Sequence, residues 1–361
     1  MAIRVLVVED SPVALAILKR ILSSSSDIEI VGTAQTGMEG LALIPDIQPD
    51  VICTDFFMPH MNGLEFTSQV MLRYPRPILV VSASVQEEED THRIFQLLEA
   101  GAVDILPKPR AGLDAENILL KQSLINKIKI LSGVKVFKKK RRKSAIHQQV
   151  SSYDRVASAV KLHNKPKILA VGASTGGPLA LQNLLTSFPA DFPLPIVCVQ
   201  HISLGFLQGL IDWLGNSCQL SLKIAPAGAR PEPGTIYFPP ERQHLEINHQ
   251  GRFVHSQLPP VDGHCPSVTA LFDSIAQFYG RRTIGVLLTG MGRDGADGMK
   301  SIADAGGLTI AQDEATSIVF GMPKEAIALG AAHHVLPIQT IGPTVLKVVQ
   351  QLSLDPASSA F

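Results

Sequence analysis

The sequence lacks the apolar segments that anchor or export a protein. Its 361 residues contain no uncharged apolar run of about 18 residues, the length that a transmembrane helix needs. The chain begins with MAIRVLVVEDS, which enters a strand pattern at once and leaves no room for a signal peptide. We therefore expect a soluble, cytoplasmic protein that does not insert directly into a membrane.

Cysteine is scarce, and its positions are scattered. No two cysteines form a Cys-x-x-Cys pair, which excludes a zinc knuckle and a disulfide framework as the basis of the fold. We expect the cysteines to behave as small, buried hydrophobic side chains. The chain contains Cys53, Cys198, Cys218 and Cys265.

The whole chain has no net charge, but its segments carry large charges of opposite sign. The 32 basic residues balance 32 acidic ones. Residues 1–118 hold 8 basic and 17 acidic side chains, residues 119–167 hold 14 and 1, and residues 168–361 hold 10 and 14. The middle segment includes KKKRRK at 138–143, a composition typical of a solvated linker rather than a core.

These segments predict two domains and a linker. With 45% hydrophobic residues, the chain is apolar enough to bury one core in each domain. We place the domains at residues 1–120 and 166–352, with a basic linker at 121–165. The helical spacing of ILLKQSLINKIKIL predicts that the last helix of the first domain continues into the linker.

The first domain alternates apolar, strand-like runs with helical patterns. This alternation predicts a doubly wound parallel sheet, whose ligand crevice lies at the carboxyl ends of the strands. The strand-like runs are IRVLVV, IEIVGTA, DVICTDF, PILVVSA and AVDILPK, and the polar residues that end them are Glu9, Asp10, Asp55, Ser82 and Lys108.

Three of these residues are carboxylates converging on one point. They cannot all ionise comfortably without a cation, and a cluster of oxygen ligands suits Mg²⁺. The lysine and the hydroxyl opposite would balance a phosphoryl group on one carboxylate. A single acid at a strand end is usually an ordinary cap, but five polar groups at one edge favour a site.

Four stretches of the first domain, VVEDS, TDFFMPHMNGLE, VVSAS and LPKP, resemble the receiver domain of two-component response regulators. The resemblance covers about residues 3–120 and implies a flavodoxin-like fold. It implies that Asp55 takes phosphate from a histidine kinase. It further implies a Mg²⁺ held by the set Glu9, Asp10, Asp55 and Phe57.

The same resemblance assigns the remaining polar residues of this edge. It implies that Ser82 and Lys108 bind the phosphoryl oxygens and that a cis peptide bond precedes Pro109. Ile105 departs from the family, whose members often carry an aromatic switch residue three positions before the lysine. An aliphatic side chain cannot make the same aromatic rotamer change with Ser82, so the resemblance does not define the route of signal relay.

The second domain repeats the alternation of strand and helix patterns. KILAVGAS, LPIVCVQH, TIGVLLTGMGRDG and GLTIAQ predict a second, Rossmann-like parallel sheet. Ser174 and His201 end two of these strands, and Asp294 lies on the turn after a third. A serine becomes a nucleophile when a histidine removes its proton and a buried carboxylate orients that histidine. These residues therefore form a candidate hydrolytic triad.

The glycines around the serine have a matching use. The turn GASTGG permits a sharp bend and a close approach of the backbone. Backbone N–H groups near Met291 and at the following helix start could receive a developing oxyanion.

Ordinary roles and other sites remain open for the same residues. Ser174 could cap the helix that begins near Pro178, or the glycine loop could hold a phosphate. A dinucleotide site competes, but the spacing is not Gly-x-Gly-x-x-Gly and no acidic residue ends the next strand. Asp294 and Asp297 could instead be loop acids or a weak cation site.

A different hydrolase is a further alternative. GASTG satisfies the Gly-x-Ser-x-Gly elbow of α/β-hydrolases, in which the chain order would be Ser174, Asp294 and then His333 or His334. The two arrangements make opposite predictions, because replacing His201 would be harmless in this one and severe in the other.

The motifs of the second domain together resemble the catalytic domain of chemotaxis-type protein-glutamate methylesterases, over about residues 166–352. The matching stretches are VGASTGGP, VQHISLGF, APAGARPEPGTIYFPPERQHLEI, CPSVTALFDS, LTGMGRDGADGM and AQDEATSIVFGMPKEAI. The resemblance implies hydrolysis of glutamate methyl esters on cytoplasmic chemoreceptor helices, with methanol released and often with glutamine deamidation. It implies activation by phosphorylation of the receiver and no cofactor for hydrolysis.

The resemblance also gives each residue a role. Ser174 would attack, His201 would act as base and then acid, Asp294 would orient His201, and the Met291 backbone would help to hold the oxyanion. A monomer is expected.

Two functions outside hydrolase chemistry compete with this interpretation. A receiver followed by KKKRRK could be a DNA-binding regulator, but the C-terminal segment is net acidic and shows no helix-turn-helix, so we expect no nucleic-acid partner. A scaffold with an inactive catalytic domain is the other alternative, and the intact serine, histidine and aspartate argue against it.

Overall fold

The structure is a computed structural model and contains two α/β units, each described by itself. The basic run KKKRRK and most of the predicted linker lie outside the described residues. None of the helices in the described ranges combines the length and apolar character that crossing a bilayer requires. The described residues are 2–82, 88–110, 112, 115–136 and 165–351, with only the backbone at 88–93, 115 and 116.

The first unit is built on a five-stranded parallel sheet in the order β2-β1-β3-β4-β5. This order is that of flavodoxin-like folds, so the predicted fold class is confirmed for this unit. The third and fourth strands are buried along their whole length, as expected of strands covered by helices on both faces. The strands are β1 (Ile3–Val8), β2 (Ile28–Ala34), β3 (Val51–Thr54), β4 (Ile78–Ser82) and β5 (Asp104–Pro107).

Helices connect these strands and begin at recognisable caps. Ser11, Thr36 and Asn62 each accept a hydrogen bond from the backbone N–H three residues later, at the start of a helix. The last helix crosses the predicted domain boundary at residue 120, as the helical pattern there had indicated. The helices are α1 (Pro12–Leu22), α2 (Gly37–Ile47), α3 (Gly63–Arg73), α4 (Glu88–Ala100) and α5 (Ala115–Leu131).

The second unit is built on a seven-stranded parallel sheet in the order β14-β13-β12-β6-β7-β9-β8. The chain passes from β6 to β7 on one side and later returns to β12 on the other side of β6. The strand order therefore reverses between β6 and β12, which is where a sheet of this type opens a ligand crevice.

This sheet confirms the predicted parallel α/β class and adds strands that the prediction omitted, namely β8, β9 and β14. A two-stranded antiparallel hairpin, β10 with β11, also belongs to the unit. The strands are β6 (Ile168–Ala173), β7 (Ile196–Gln200), β8 (Ser221–Ile224), β9 (Thr235–Phe238), β10 (His244–Ile247), β11 (Phe253–Ser256), β12 (Thr283–Leu287), β13 (Leu308–Gln312) and β14 (His334–Leu336).

The helices of the second unit pack on the sheet and fill the core. Trp213 is buried in the second of them. Each unit also holds one cysteine in a central strand, Cys53 in β3 and Cys198 in β7, and both are buried. The helices are α6 (Gly177–Leu185), α7 (Leu207–Gly215), α8 (Val268–Tyr279), α9 (Ala296–Asp304), α10 (Met322–Ala328) and α11 (Ile338–Gln351).

Candidate active site

Ser174 follows directly on β6, in a turn that only glycine can complete. Gly176 has a φ of 76°, in the left-handed region that favours glycine. A Cβ on Gly177 would lie 2.0 Å from the amide oxygen of Gln200, so any side chain there would displace that amide. The N-cap of α6 is Gly176, with no side-chain cap bond, so the alternative in which Ser174 caps this helix is wrong.

Gln200 connects the backbones of the serine and the histidine. Its Nε2 donates to the carbonyl oxygen of Ser174 at 2.8 Å and to that of His201 at 2.9 Å. The side chain is 4% exposed, so these bonds form away from water. The His201 N–H in turn donates to the Ala173 carbonyl at 3.0 Å. The ends of β6 and β7 are therefore fixed to each other at the positions that carry the two side chains.

The structure brings His201 and Asp294 together. His201 Nε2 lies 2.8 Å from Asp294 Oδ2, and Asp294 is fully buried. The same carboxylate accepts three further hydrogen bonds, from Ser267 Oγ at 2.7 Å and from the backbone N–H groups of Val268 at 2.8 Å and Thr269 at 2.9 Å. Both oxygens are thus held at the N-terminus of α8, where the helix dipole favours a negative charge.

These contacts keep Asp294 ionised. Burial alone would raise the pKa of its carboxyl group, because it disfavours the charged form. The hydrogen bond and the charge attraction from His201 act in the opposite direction, together with the bonds from Thr269 and Ser267, and they hold the pKa well below its ordinary value. The carboxylate can therefore orient His201 and stabilise its protonated form at any physiological pH.

The other nitrogen of the histidine is available for chemistry. His201 Nδ1 is buried and makes no hydrogen bond to any described residue, so the bond to Ser174 that a triad implies is not formed here. Such bonds are often long before substrate binds and shorten in the complex.

The elbow arrangement with His333 or His334 is wrong. His333 Nδ1 lies 2.7 Å from Thr309 Oγ1, and the side chain that bonds Asp294 is His201. The weak cation site at Asp294 and Asp297 is also not formed, because Asp297 pairs with Arg293 on the surface at 2.5 Å.

The loop that carries Met291 lies beside the serine. A Cβ on Gly290 would come within 2.8 Å of the Ser174 Cβ, so the two backbones are in close approach. The Met291 side chain is 42% exposed, while its backbone is next to Gly290. This position suits a backbone N–H that receives an oxyanion.

The first unit brings together the predicted acidic cluster and its lysine. Lys108 Nζ lies 2.8 Å from Glu9 Oε1 and 2.6 Å from Asp55 Oδ2. The second Asp55 oxygen accepts from the Phe56 N–H at 2.6 Å. Glu9 and Asp55 are buried, whereas Asp10 is exposed at the mouth.

The charges of this cluster perturb one another. Burial is the main cause that raises the pKa of Glu9, and the neighbouring Asp55 charge raises it further, against the effect of Lys108. Burial would lower the pKa of Lys108, but the bonds from its ammonium group to Asp55 and Glu9 overcome this and raise it. The site therefore holds more negative charge than one lysine can balance.

The residues of the cluster fit a magnesium ion. Oxygens of Glu9, Asp10 and Asp55 lie within 4.8 Å of one another, and all are hard donors of the kind Mg²⁺ prefers. The buried Glu9 Oε2 has no hydrogen-bond partner among the described residues. Phe57 lines the same cleft as Asp10, and its ring offers no ligand, so only its carbonyl could join the set.

The two remaining residues of the predicted receiver site lie at the ends of β4 and β5. Ser82 is buried, its Oγ makes no hydrogen bond within the described residues, and its carbonyl accepts from the Lys108 N–H at 2.8 Å.

The predicted cis bond before Pro109 is wrong, since the cis peptide of the described chain is Cys265–Pro266. Trans is the form that X-Pro amides favour by about 0.5–1 kcal/mol. Ile105 is buried in β5.

Sequence reasoning missed Ser267 and the contacts of Gln200. Ser267 caps α8 and donates to Asp294. Its signal was present, because a serine stands immediately before a helical pattern in CPSVTALFDS. Nothing in the sequence near Gln200 indicates that its amide reaches both neighbouring strand ends.

Two family models and a set of named relatives match this chain. The family description CheB methylesterase matches residues 169–345, and Response regulator receiver domain matches residues 5–119. A protein of Syntrophus aciditrophicus (strain SB), named protein-glutamate methylesterase/protein-glutamine glutaminase 1, is 39% identical over 96% of this chain and 98% of its own length. The chain belongs to this methylesterase/glutaminase family.

A further relative and a solved structure are also similar to this chain. One from Geobacter metallireducens (strain ATCC 53774 / DSM 7210 / GS-15) is 39% identical over 93% of this chain and 95% of its own length. Among solved structures, the Thermotoga maritima CheB methylesterase catalytic domain is 37% identical, covers 52% of this chain and 100% of that chain, and has a TM-score of 0.49.

Proposed function

We propose that this chain hydrolyses glutamate methyl esters of chemoreceptors with Ser174, His201 and Asp294 as its catalytic triad. The observation that carries the proposal is the 2.8 Å bond between His201 and the buried Asp294, at the sheet edge where Ser174 follows β6. The relatives, which are named for glutamate methylesterase and glutaminase activity, support the substrate class. Glutamine deamidation would use the same site, with ammonia leaving in place of methanol.

The residues suit a two-step acyl transfer. In the first step Ser174 Oγ attacks the ester carbonyl carbon while His201 Nδ1 takes the hydroxyl proton. His201 then gives this proton to the methoxy oxygen, the carbon–oxygen bond breaks, and methanol leaves an acyl-enzyme. In the second step water attacks the acyl carbon, again with His201 as base, and the glutamate carboxyl group and the serine are regenerated.

Two groups stabilise charge during these steps. Asp294 stays ionised and balances the imidazolium that forms on His201. The backbone N–H of Met291 and those at the start of α6 receive the oxyanion. Hydrolysis by this route needs no cofactor.

The receiver would control this activity through Asp55. A histidine kinase is the proposed phosphodonor. Asp55 Oδ attacks the phosphorus atom of its phosphohistidine, the phosphorus–nitrogen bond breaks, and the kinase imidazole leaves. When bound at the acidic cluster, Mg²⁺ offsets the negative charge that the incoming phosphoryl group adds. The ligands we assign to it are Glu9, Asp10, Asp55 and the Phe57 carbonyl, and the groups we assign to the phosphoryl oxygens are Ser82 Oγ and Lys108 Nζ.

The place of action follows from these partners. Histidine kinases and the methylated helices of chemoreceptors act in the cytoplasm, and we propose that the chain does so too. Both sites are built from one chain, so the proposed reactions require only a monomer.

The test of the proposal is the replacement of Ser174 by alanine. We expect Ser174→Ala to lower methanol release from methyl-labelled receptor membranes by about 10³-fold or more, because no acyl-enzyme forms. Ser221→Ala on the exposed strand β8 is a matched control and should keep full activity. Unchanged circular dichroism would show that the fold is kept, and near-full activity of Ser174→Ala would rule out a serine mechanism.

A further inference from the structure

The ring of His201 is covered on one face by the ring of a second histidine. The centroids of the His201 and His264 rings are 3.9 Å apart, and the ring planes are inclined by 7°. Aromatic rings more often pack offset or edge to face than in parallel at so short a distance. The overlap therefore needs support from the surrounding chain.

A short segment of backbone supplies this support. Val261 and His264 exchange two backbone hydrogen bonds, of 3.1 and 2.9 Å. Asp262 and Gly263 between them have φ values of 50° and 78°, as a tight type I′ turn requires, and Asp-Gly is a favoured pair for it. Three residues beyond His264, Ser267 donates to Asp294 at 2.7 Å. One segment of seven residues, 261–267, thus contacts both His201 and Asp294, the carboxylate that is bonded to His201.

The parallel rings exclude two roles for His264. A proton relay between imidazoles needs a nitrogen of one ring in the plane of the other, and rings stacked face to face cannot provide this. Ligand atoms of His201, His264 and Asp294 lie within 4.8 Å of one another. A metal ion shared by the two rings would nevertheless have to lie in both ring planes, which are nearly parallel and separated. Both Asp294 oxygens are also already bonded. His264 therefore acts on His201 through the face of its ring.

Stacking of His264 on the His201 ring restricts a rotation of that ring that its hydrogen bond to Asp294 allows. One hydrogen bond, from Nε2 to Asp294, allows the His201 ring to tilt about the line of that bond. Nδ1 has no described partner to prevent the tilt. Tilting would change the direction of the Nδ1 lone pair, and the ring of His264 lies against the face of His201, where it opposes this movement.

We propose that His264 is a positioning residue that holds the ring plane of His201 by stacking, so that Nδ1 faces Ser174. The proposal rests on the proposed function, in which His201 is the base. It predicts that a flat ring at position 264 preserves the activity of His201.

Two variants of similar volume test this prediction in the full-length, phosphorylated chain. His264→Phe keeps a flat ring, and His264→Leu does not. We expect Phe to retain kcat for methanol release within about threefold and Leu to lower it on the order of tenfold, with KM unchanged in both, because His264 touches the base and not the substrate. His249→Ala, an exposed histidine of the β10–β11 turn, is the matched control.

Each outcome either supports the proposal or overturns it. A Leu variant with wild-type kcat, a Phe variant as slow as Leu, or an effect on KM alone would each overturn it. If Leu fails to fold, as judged by thermal unfolding, the Phe variant decides, and a tenfold loss there counts against stacking. His201→Ala is measured beside them: activity in that variant would refute the proposed triad itself, whereas an inactive His201→Ala with a fully active His264→Leu would refute only the role of His264.

Discussion

Asp55 and Asp294 both lie at the carboxyl edge of a buried parallel sheet, but they have very different neighbours. Asp294 accepts four hydrogen bonds, from His201, Ser267 and two backbone N–H groups. Asp55 is bonded by Lys108 and one backbone N–H, and it shares its pocket with two other carboxylates. One carboxylate is saturated with donors, and the other is crowded by like charges.

The difference teaches how surroundings assign a task to a carboxylate. A saturated, low-pKa group keeps its charge and its place, which suits the orientation of a neighbouring base. A group in an acid-rich pocket is kept reactive and attracts a cation and then a phosphoryl group. A substitution at one carboxylate should therefore change its own reaction and leave the other carboxylate unaffected.

The largest effect is expected from Asp294→Asn. The amide carries no charge, and its Nδ2 would face donors, so His201 would lose both its orientation and its balancing charge. We expect kcat for methanol release to fall roughly 10³- to 10⁴-fold, while phosphate incorporation at Asp55 stays normal. Asp297→Asn, three residues further on and exposed, is the control. A loss of less than tenfold for Asp294→Asn would contradict the triad.

Asp55→Asn should have the converse effect. Incorporation of phosphate from a small phosphodonor should be abolished, and with it the activation of methanol release, which we expect to be about 5- to 150-fold. Basal activity without a phosphodonor should be unchanged, because Asp294 and its partners are intact. Asp46→Asn, exposed on α2, serves for comparison. Equal labelling of the Asp55→Asn protein would remove Asp55 as the phosphorylation site.

Ser267→Ala takes one donor from Asp294 and the N-cap from α8. Loss of a cap and of a hydrogen bond to a charged group should lower the free energy of unfolding by about 2–3 kcal/mol and kcat by about tenfold. Ser274→Ala is the control, because Ser274 is also a buried serine of α8. Its hydroxyl bonds the backbones of Ile247 and Leu271 and not Asp294. The control variant should be destabilised without a loss of kcat, and equal kcat losses in the two variants would show that the Asp294 contact has no special role.

The smallest effect is expected in the pH dependence of the stability of each unit to unfolding. Because folding raises the pKa of Glu9, the first unit should lose stability as the pH rises from about 4.5 through the raised value. Because folding lowers the pKa of Asp294, this carboxylate stabilises the second unit at neutral pH, and its contribution should be lost as the pH falls below about 3.8. We expect shifts of a few degrees in melting temperature.

The single tryptophan, Trp213, lies in the second unit, so its fluorescence reports on that unit, while calorimetry without divalent cations follows both. Glu9→Gln should abolish the decline of the first unit with rising pH and leave the fluorescence transition unchanged. A first-unit transition that still weakens with rising pH in Glu9→Gln would assign the dependence to another group.

The sequence predicted most strands that are buried along their whole length, but β9, which is also buried throughout, was not predicted. IRVLVV coincides with β1 and KILAVGAS with β6, because parallel strands covered on both faces are continuous apolar runs. β8 was not predicted, since its side chains at the sheet edge are mostly exposed and leave no apolar run. The isomer before Pro109 was also beyond the sequence, because the two forms differ by little energy.

The sequence could predict those residues of the site that directly follow a strand. Ser174 and His201 do so, and fold topology alone brings such residues to one edge. Ser267 and His264 meet the triad from a loop between α8 and the hairpin, and those contacts span 27 and 63 positions of the chain. Local patterns carry no information on contacts of that range.

The alkylation rates of two native thiols can report the unfolding rate of each unit. Burial raises the pKa of Cys53 to about 12 and raises that of Cys198 as well, so neither thiol forms an appreciable amount of thiolate while its strand stays covered. An alkylating reagent can therefore modify Cys53 only when β3 is exposed and Cys198 only when β7 is exposed. The rates at which the two peptides gain mass would time the separate unfolding of receiver and esterase in one unmodified chain.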